Sequence, residues 1–239
     1  MIRTIFWFIH FWFYLIIRYP TQRRAMRLDR EGKVAERDAL VAAVTRVWAQ
    51  AMVRAGGGKV EITGNEHVPE AGPLVFIANH QGNFDIPIMV GYVARSKALI
   101  SKIEVLKLPF IQRWMKLMQC QFMDRKNLRQ SVRVINESVE IIKKGYPMVI
   151  FPEGTRSKSD RLGDFKHGSF RLALDSGAPI IPVSIDGSWR LLEQKGVMKP
   201  GTVRVTVHPP VQTADLTREE KQVLPEKVRD IIASALPNP

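Results

Sequence analysis

A histidine and an aspartate, His80 and Asp85, lie five residues apart and could form a hydrogen-bonded pair that transfers a proton. The apolar residues 74–78 precede the pair and predict a buried strand, and the residues after it predict a helix. If the intervening turn folds back, the carboxylate can fix the tautomer of the imidazole while the ring takes a proton from a hydroxyl. Residues 79–85 contain no serine or cysteine, so that hydroxyl would belong to a substrate. The alternative is an ordinary polar turn at a strand end.

A second polar turn, residues 151–157, follows another apolar run. Its proline and glycine, Pro152 and Gly154, predict a tight turn at a strand end, which is where ligands bind in open α/β sheets. The guanidinium of Arg156 could clamp a phosphate bidentately, with backbone N–H groups as further donors. The side chains expected to face this crevice are those of Glu153, Thr155, Arg156 and Ser157. On its own, such a turn could equally be solvated, with an exposed ion pair.

Strands alternate with helices from residue 59 onward, which predicts an α/β fold with a mixed, mostly parallel sheet flanked by helices. Asn127 is expected to cap a helix that Gly145 ends, and Lys102 follows a short strand. The predicted strands are residues 59–63, 74–78, 98–101, 121–123, 148–151, 180–185 and 203–207.

The composition of the 239-residue chain is that of a folded protein with an anionic partner. Lys and Arg number 36 against 23 Asp and Glu, a net charge of +13, which suits nucleic acid, an anionic membrane, or phosphorylated substrates and acidic carriers. The single cysteine, Cys120, excludes an internal disulfide and indicates a reducing compartment. No His, Cys and Asp cluster has metal-ligand spacing, so no metal is expected.

The first seventeen residues bear on the choice of partner. Residues 5–17 are apolar except for His10 and fall short of the ~20 residues that span a bilayer, yet they contain Trp and Tyr rings that favour the membrane interface. We therefore expect a retained helix that dips into one leaflet, followed by a second helix over residues 29–55. The predicted division is a membrane-anchoring helix pair at 1–55 and an α/β domain at 56–239. The alternative is that both helices pack on the following domain.

Four sequence blocks, in order, make the chain resemble the glycerolipid acyltransferases, specifically the bacterial 1-acylglycerol-3-phosphate acyltransferase type. The resemblance covers roughly residues 59–210. One departure is Gln119, where the second block often has glycine. The blocks are His80 with Asp85, then residues 122–125 (Phe-Met-Asp-Arg), residues 151–157 (Phe-Pro-Glu-Gly-Thr-Arg-Ser) and residues 181–183 (Ile-Pro-Val).

The resemblance implies a role for each matching residue. His80, held by Asp85, would deprotonate the 2-hydroxyl of 1-acylglycerol 3-phosphate, whose oxygen attacks an acyl thioester directly. Arg125 and Arg156 would surround the acceptor's phosphate. The residues expected to shape that site or add to it are Glu153, Gly154, Thr155 and Lys102. The acyl donor, acyl-CoA or acyl-acyl carrier protein, is a substrate, and no cofactor is expected.

The four blocks, the predicted anchor helix and the basic charge together lead us to expect a monotopic enzyme on the cytoplasmic face of the inner membrane, with the phospholipid bilayer and lysophosphatidic acid as partners. Two rival functions stay open. Within the same fold, the acceptor could be another lysolipid or a lyso-amino-lipid. From a different class, the chain could be a basic membrane-bound scaffold or a nucleic-acid-binding protein, although its basic residues are scattered and no RNA- or DNA-binding signature is present, so nucleic acid is not an expected partner.

Overall fold

A computed structural model describes residues 1–124 and 126–237 of the chain. Within them, strands alternate with helices around one seven-stranded sheet of order β1-β7-β6-β2-β5-β3-β4. Neighbouring strands are parallel except β6 and β7, which are antiparallel. The predicted fold class, a mixed and mostly parallel sheet flanked by helices, is confirmed. The strands are β1 (Gly58–Thr63), β2 (Val75–Ala78), β3 (Ala98–Lys102), β4 (Gln121–Met123), β5 (Met148–Ile150), β6 (Ile180–Asp186) and β7 (Gly201–Val207).

Two of the eight α-helices in the described residues begin with a side-chain cap. The side chain of Asn127 accepts the Gln130 N–H at the start of α6, and Thr217 forms a capping box with Glu220 at the start of α8. Gly57 takes a left-handed conformation after α3. The helices are α1 (Ile2–Ile17), α2 (Tyr19–Arg30), α3 (Val34–Gly56), α4 (Asp85–Gly91), α5 (Pro109–Leu117), α6 (Leu128–Lys143), α7 (Arg171–Ser176) and α8 (Arg218–Ala233).

Strand β2 lies at the centre of the sheet, between β5 and β6, and all four of its residues are buried. Its side chains alternate between two hydrophobic cores: Phe76 packs with residues of α3 and α4, and Ile77 packs with residues of α6, α7 and α8. A strand buried on both faces reads as an uninterrupted apolar run, which is the pattern of residues 74–78. This burial fixes the end of β2, and therefore the turn that follows it.

The region before the sheet folds as three helices, whereas the sequence led us to expect two. The helix predicted over residues 29–55 is interrupted because Gly32 adopts a positive φ between α2 and α3. Pro20 lies in the first turn of α2, where its missing N–H costs no hydrogen bond. The three helices pack on one another and on α5 through a third apolar cluster, whose buried members are Leu15, Ala25, Val41, Trp114 and Leu117.

Helix α1 has one apolar face turned inward and another turned outward. Trp7, Phe11 and Leu15 follow one another at four-residue spacing and pack against the rest of the protein. Within the part of the chain that the structure describes, no helix is long and apolar enough to cross a membrane. The exposed large apolar side chains of α1 are Ile2, Ile5, Phe6, Phe8, Ile9, Trp12, Phe13, Ile16 and Ile17.

Candidate active site

The candidate site lies at the carboxyl edge of the sheet, where β2 and its parallel neighbour β5 both end. The turn of residues 79–84, here called the His80 turn, leads from β2 into α4. The turn of residues 151–157, here called the Arg156 turn, follows β5. Two backbone hydrogen bonds join them: Ser157 N–H donates to the His80 carbonyl at 2.8 Å, and the N–H of Lys158, the residue after the turn, donates to the Gln81 carbonyl at 3.1 Å. The two turns therefore form one unit.

His80 and Asp85 meet as the sequence spacing predicted. The Nδ1 atom of His80 is 2.7 Å from Oδ2 of Asp85, whose side chain has no solvent exposure. The same oxygen accepts the Gly82 N–H at 2.8 Å. Because the carboxylate accepts hydrogen bonds, Nδ1 carries the proton of the neutral ring and Nε2 is left as the basic atom. Asp85 is also the first residue of α4, where the helix dipole stabilises a negative charge.

Ser188 completes the hydrogen bonds of the buried aspartate, and sequence reasoning missed it. Its hydroxyl donates to Oδ1 of Asp85 in a close contact. Ser188 begins a 3₁₀ turn that follows β6 after one residue, Gly187, whose N–H donates to Oε1 of Gln81 at 2.8 Å. The only local signal was a polar Gly-Ser pair after an apolar strand, which many surface turns share.

Asn79 ties the His80 turn to the other neighbouring strand. Its amide donates to the Ile185 carbonyl at 2.9 Å and accepts the Ile185 N–H at 2.7 Å. Asn79 is buried, and a buried amide whose donor and acceptor are both satisfied is rigid. The turn is thus fixed to β6 on one side and to the Arg156 turn on the other.

Two residues of the Arg156 turn, Phe151 and Glu153, also contact His80. The ring of Phe151 stacks on the imidazole, with centroids 4.2 Å apart and planes 19° from parallel. One carboxylate oxygen of Glu153 accepts the backbone N–H of His80 at 2.6 Å, and the other accepts the backbone N–H of Gly163 at 3.2 Å. Burial raises the pKa of Glu153, and the two N–H donors offset part of that rise.

The position of Glu153 corrects one sequence expectation. We expected its carboxylate to face the crevice, but the residue is only 6% exposed and turns inward. The physical reason is that the partly buried backbone N–H groups of His80 and Gly163 need acceptors, which the two oxygens of Glu153 supply. Glu153 therefore holds the backbone of His80 in place by a hydrogen bond.

Arg156 points toward a carboxylate that sequence reasoning also missed. Its Nη1 atom is 3.4 Å from Oε1 of Glu193, and the same oxygen accepts the Asn83 N–H at 2.8 Å. The Glu193 side chain is 5% exposed and that of Arg156 is 35% exposed. The guanidinium is thus held at one end and open to a ligand at the other.

The other predicted site residues that the structure describes lie along the same edge of the sheet. Gly154 has φ of +69°, and a Cβ there would lie 2.8 Å from Nζ of Lys166, so glycine suits the turn on both counts. Thr155 is exposed at the tip of the Arg156 turn, and Lys102 is exposed at the end of β3, the strand beside β5. Arg125 lies outside the described residues. Among the residues that are described, no group of three or more His, Cys, Asp and Glu side chains could hold a metal ion.

The fold and the site place the chain in the class of α/β proteins whose sheet edge carries a histidine–carboxylate pair suited to general-base catalysis. A family model described as Acyltransferase matches residues 59–186, more than half of the chain, and the chain belongs to that family.

Curated relatives and a solved structure extend this assignment. The chloroplastic 1-acyl-sn-glycerol-3-phosphate acyltransferase BAT2 of Brassica napus is 35% identical over 167 residues, which are 68% of this chain and 48% of that protein. The 1-acyl-sn-glycerol-3-phosphate acyltransferase of Borreliella burgdorferi is 28% identical over 181 residues, 75% of this chain and 72% of that protein. The chain spans about half the length of the first curated relatives it matches.

The structural similarity covers nearly the whole chain, including the N-terminal helices. The crystal structure of the 1-acyl-sn-glycerophosphate (LPA) acyltransferase PlsC from Thermotoga maritima matches with a TM-score of 0.81 at 26% identity. The match covers 98% of this chain and 96% of that one. The similarity therefore includes helices α1 to α3 as well as the sheet.

Proposed function

We propose that this protein transfers a fatty acyl group from an acyl thioester to the 2-hydroxyl of 1-acyl-sn-glycerol 3-phosphate, giving phosphatidic acid. The observation that carries the proposal is the 2.7 Å contact between His80 and Asp85, made within hydrogen-bonded turns that also present Arg156. A general base beside a phosphate-binding guanidinium suits an acceptor that has both a hydroxyl and a phosphate. The names of the curated relatives support the same acceptor.

The proposed reaction takes place in one displacement at the thioester carbonyl. Nε2 of His80 takes the proton of the 2-hydroxyl as its oxygen attacks the carbonyl carbon, and the C–S bond breaks as the ester forms. The imidazolium then returns the proton to the departing thiolate. Asp85 stabilises the imidazolium through its bond to Nδ1, as a triad aspartate does. This sequence needs no acyl-enzyme and no cofactor.

The acceptor's phosphate is assigned to Arg156 in this proposal, because the open end of its guanidinium offers several N–H donors in a plane. Thr155, exposed at the tip of the same turn, can add a hydroxyl donor. Arg125 is proposed as a further cationic contact on the basis of the family resemblance. Lys102 is proposed as another because it lies at the end of β3.

We also propose that the outward face of α1 lies in the cytoplasmic leaflet of the inner membrane. Support comes from its row of exposed apolar side chains, together with exposed arginines on the adjacent α2, Arg23, Arg24, Arg27 and Arg30. In sedimentation with phosphatidylglycerol-containing vesicles, the wild-type protein should pellet and the double variant Phe6→Asp, Ile9→Asp should not. The control is the double variant Val132→Asp, Val223→Asp, which places the same two charges on exposed apolar surface of α6 and α8.

One assay tests the chemistry and identifies the donor. Purified protein in liposomes is given lysophosphatidic acid and, in turn, acyl-CoA or acyl-acyl carrier protein, and thiol release is followed together with phosphatidic acid formation. His80→Ala should lower turnover by about 10³-fold or more while leaving the melting temperature of the protein near the wild-type value. Full turnover by His80→Ala would sink the mechanism. Turnover of other lysolipids but not lysophosphatidic acid would move the proposal to a different acceptor.

A further inference from the structure

The buried carboxylate of Glu193 lies between the two turns of the site and belongs to neither. It follows the 3₁₀ turn Ser188–Leu191, so a third part of the chain supplies it. Its Oε1 atom accepts the Asn83 N–H at 2.8 Å and lies 3.4 Å from Nη1 of Arg156. Oε1 of Glu193 therefore contacts both the His80 turn, which carries the proposed base, and Arg156, the residue proposed to bind the phosphate.

The second oxygen of Glu193 is packed against the His80 turn at Gly82. A Cβ on Gly82 would lie 2.5 Å from Oε2, so a larger residue at position 82 would displace the carboxylate from this position. Among the described residues Oε2 has no hydrogen-bond partner. The carboxylate is therefore packed closely against the His80 turn on the side of Oε2.

We propose that Glu193 is a positioning residue that fixes the guanidinium of Arg156 relative to His80, and so places the acceptor's phosphate at a set distance from the base. This inference rests on the function proposed above. An arginine that is about one third exposed has many rotamers, and ordering it at the moment of binding would cost affinity. A buried carboxylate that holds one N–H of the guanidinium removes that cost and leaves the other donors to the phosphate.

The same geometry argues that Glu193 serves the site more than it stabilises the fold. Burying a carboxylate costs desolvation, and its single guanidinium partner is long for a hydrogen bond at 3.4 Å and partly solvated. Glutamine at this position has the same shape and retains a carbonyl oxygen for the Asn83 N–H. What glutamine lacks is the charge that attracts Arg156.

The experiment is the variant Glu193→Gln, assayed with lysophosphatidic acid and a fixed acyl donor. We expect its KM for lysophosphatidic acid to rise about 5- to 10-fold, the scale of one charge-assisted hydrogen bond. The KM for the acyl donor should stay the same, because the donor carries no group assigned to Arg156. The matched control is Glu140→Gln, the same change at an exposed carboxylate on α6, which should alter neither constant.

A double-mutant cycle separates positioning from a structural effect. In an Arg156→Ala background, Glu193→Gln should cause no further rise in the KM for lysophosphatidic acid, because there is no guanidinium left to position. The inference is overturned by an unchanged KM in the single variant, by an equal rise in the Arg156→Ala background, or by unfolding of Glu193→Gln. Failure of the proposed function is a different result, since the wild-type protein itself would then not turn over lysophosphatidic acid.

Discussion

The indole of Trp7, in the first helix, packs against the ring of Phe84, which directly precedes Asp85, with ring centroids 5.9 Å apart. Nε1 of Trp7 donates to the Met52 carbonyl at 2.9 Å. The Phe84 ring in turn fills the space above Gly56, where a Cβ would lie 2.5 Å from it. Helix α1 is therefore part of the support of the His80 turn, in addition to the membrane contact proposed for its outward face.

Replacing Trp7 should impair catalysis, because Trp7 supports the His80 turn through Phe84. Trp7→Ala removes the packing against Phe84, and we expect about 2 kcal/mol of lost stability, below the range for a fully buried tryptophan because Trp7 is only partly buried. The turnover number measured in detergent micelles should fall about tenfold, since His80 and Asp85 lose their alignment. Phe6→Ala, on the outward face of the same helix, is the control. Equal turnover by both variants in micelles would contradict the packing argument.

Removing the hydroxyl of Ser188 should loosen the position of Asp85, and with it the alignment of His80, without removing the base. Ser188→Ala takes one donor from the fully buried Asp85 carboxylate, and a hydrogen bond to a charged group is worth about 1.5–3 kcal/mol. We therefore expect the turnover number to fall about 10- to 100-fold. Steady-state kinetics with Ser234→Ala as the control, an exposed serine bonded to the Ile231 carbonyl, tests this. A turnover number within twofold of wild type would show that Ser188 has no part in holding Asp85.

The buried carboxyl of Glu153 should give the protein a distinctive pH dependence of stability. Its pKa in the folded state is raised above 4.5, so the folded protein binds more protons than the unfolded chain between pH 4.5 and that raised pKa. Stability should therefore fall as the pH rises through this window. Glu153→Gln lacks the titrating group, and the difference in unfolding free energy between wild type and variant should change only within the window.

Urea unfolding of both proteins at several pH values from 4.5 to 7.5 provides the measurement for Glu153. Glutamine can accept only one of the two N–H groups that Glu153 accepts, so the variant should be less stable at every pH tested. A difference that grows in favour of the wild type as the pH rises would reverse the predicted sign.

Lys97 should stabilise the helix that begins with Asp85. It is 2% exposed, and its Nζ donates to the carbonyls of Met89, Val93 and Arg95 at 2.6–2.8 Å, near the end of α4. Burial lowers its pKa well below the ordinary value. Lys97→Met leaves these carbonyls without their donor, and we expect about 3 kcal/mol of lost stability by urea unfolding. Lys227→Met, on exposed surface of α8, should change stability by less than about 0.5 kcal/mol.

Local patterns in the sequence were enough to predict the elements that carry the site. The apolar run of residues 74–78 predicted β2, and His80 with Asp85 met because a strand end and a helix start are close in the chain as well as in space. Ser188 and Glu193 were missed because their contacts join residues about a hundred positions apart, and no local pattern encodes such a pair. Gly32 was read as a helix interior, although its positive φ ends α2.

The edge strand β1 has a consequence for how the chain folds as it is made. Its partner in the described sheet is β7, and the register pairs Gly58 with Gly201, so the earliest strand pairs with the last. Synthesis proceeds at about 5–20 residues per second, so the unpaired backbone of β1 waits roughly 7 to 30 seconds for its partner to be synthesised. A pairing of such long sequence separation also slows folding. A chain that stalls before Gly201 would therefore present β1 as an open edge to other chains and to the quality-control proteases of the cell.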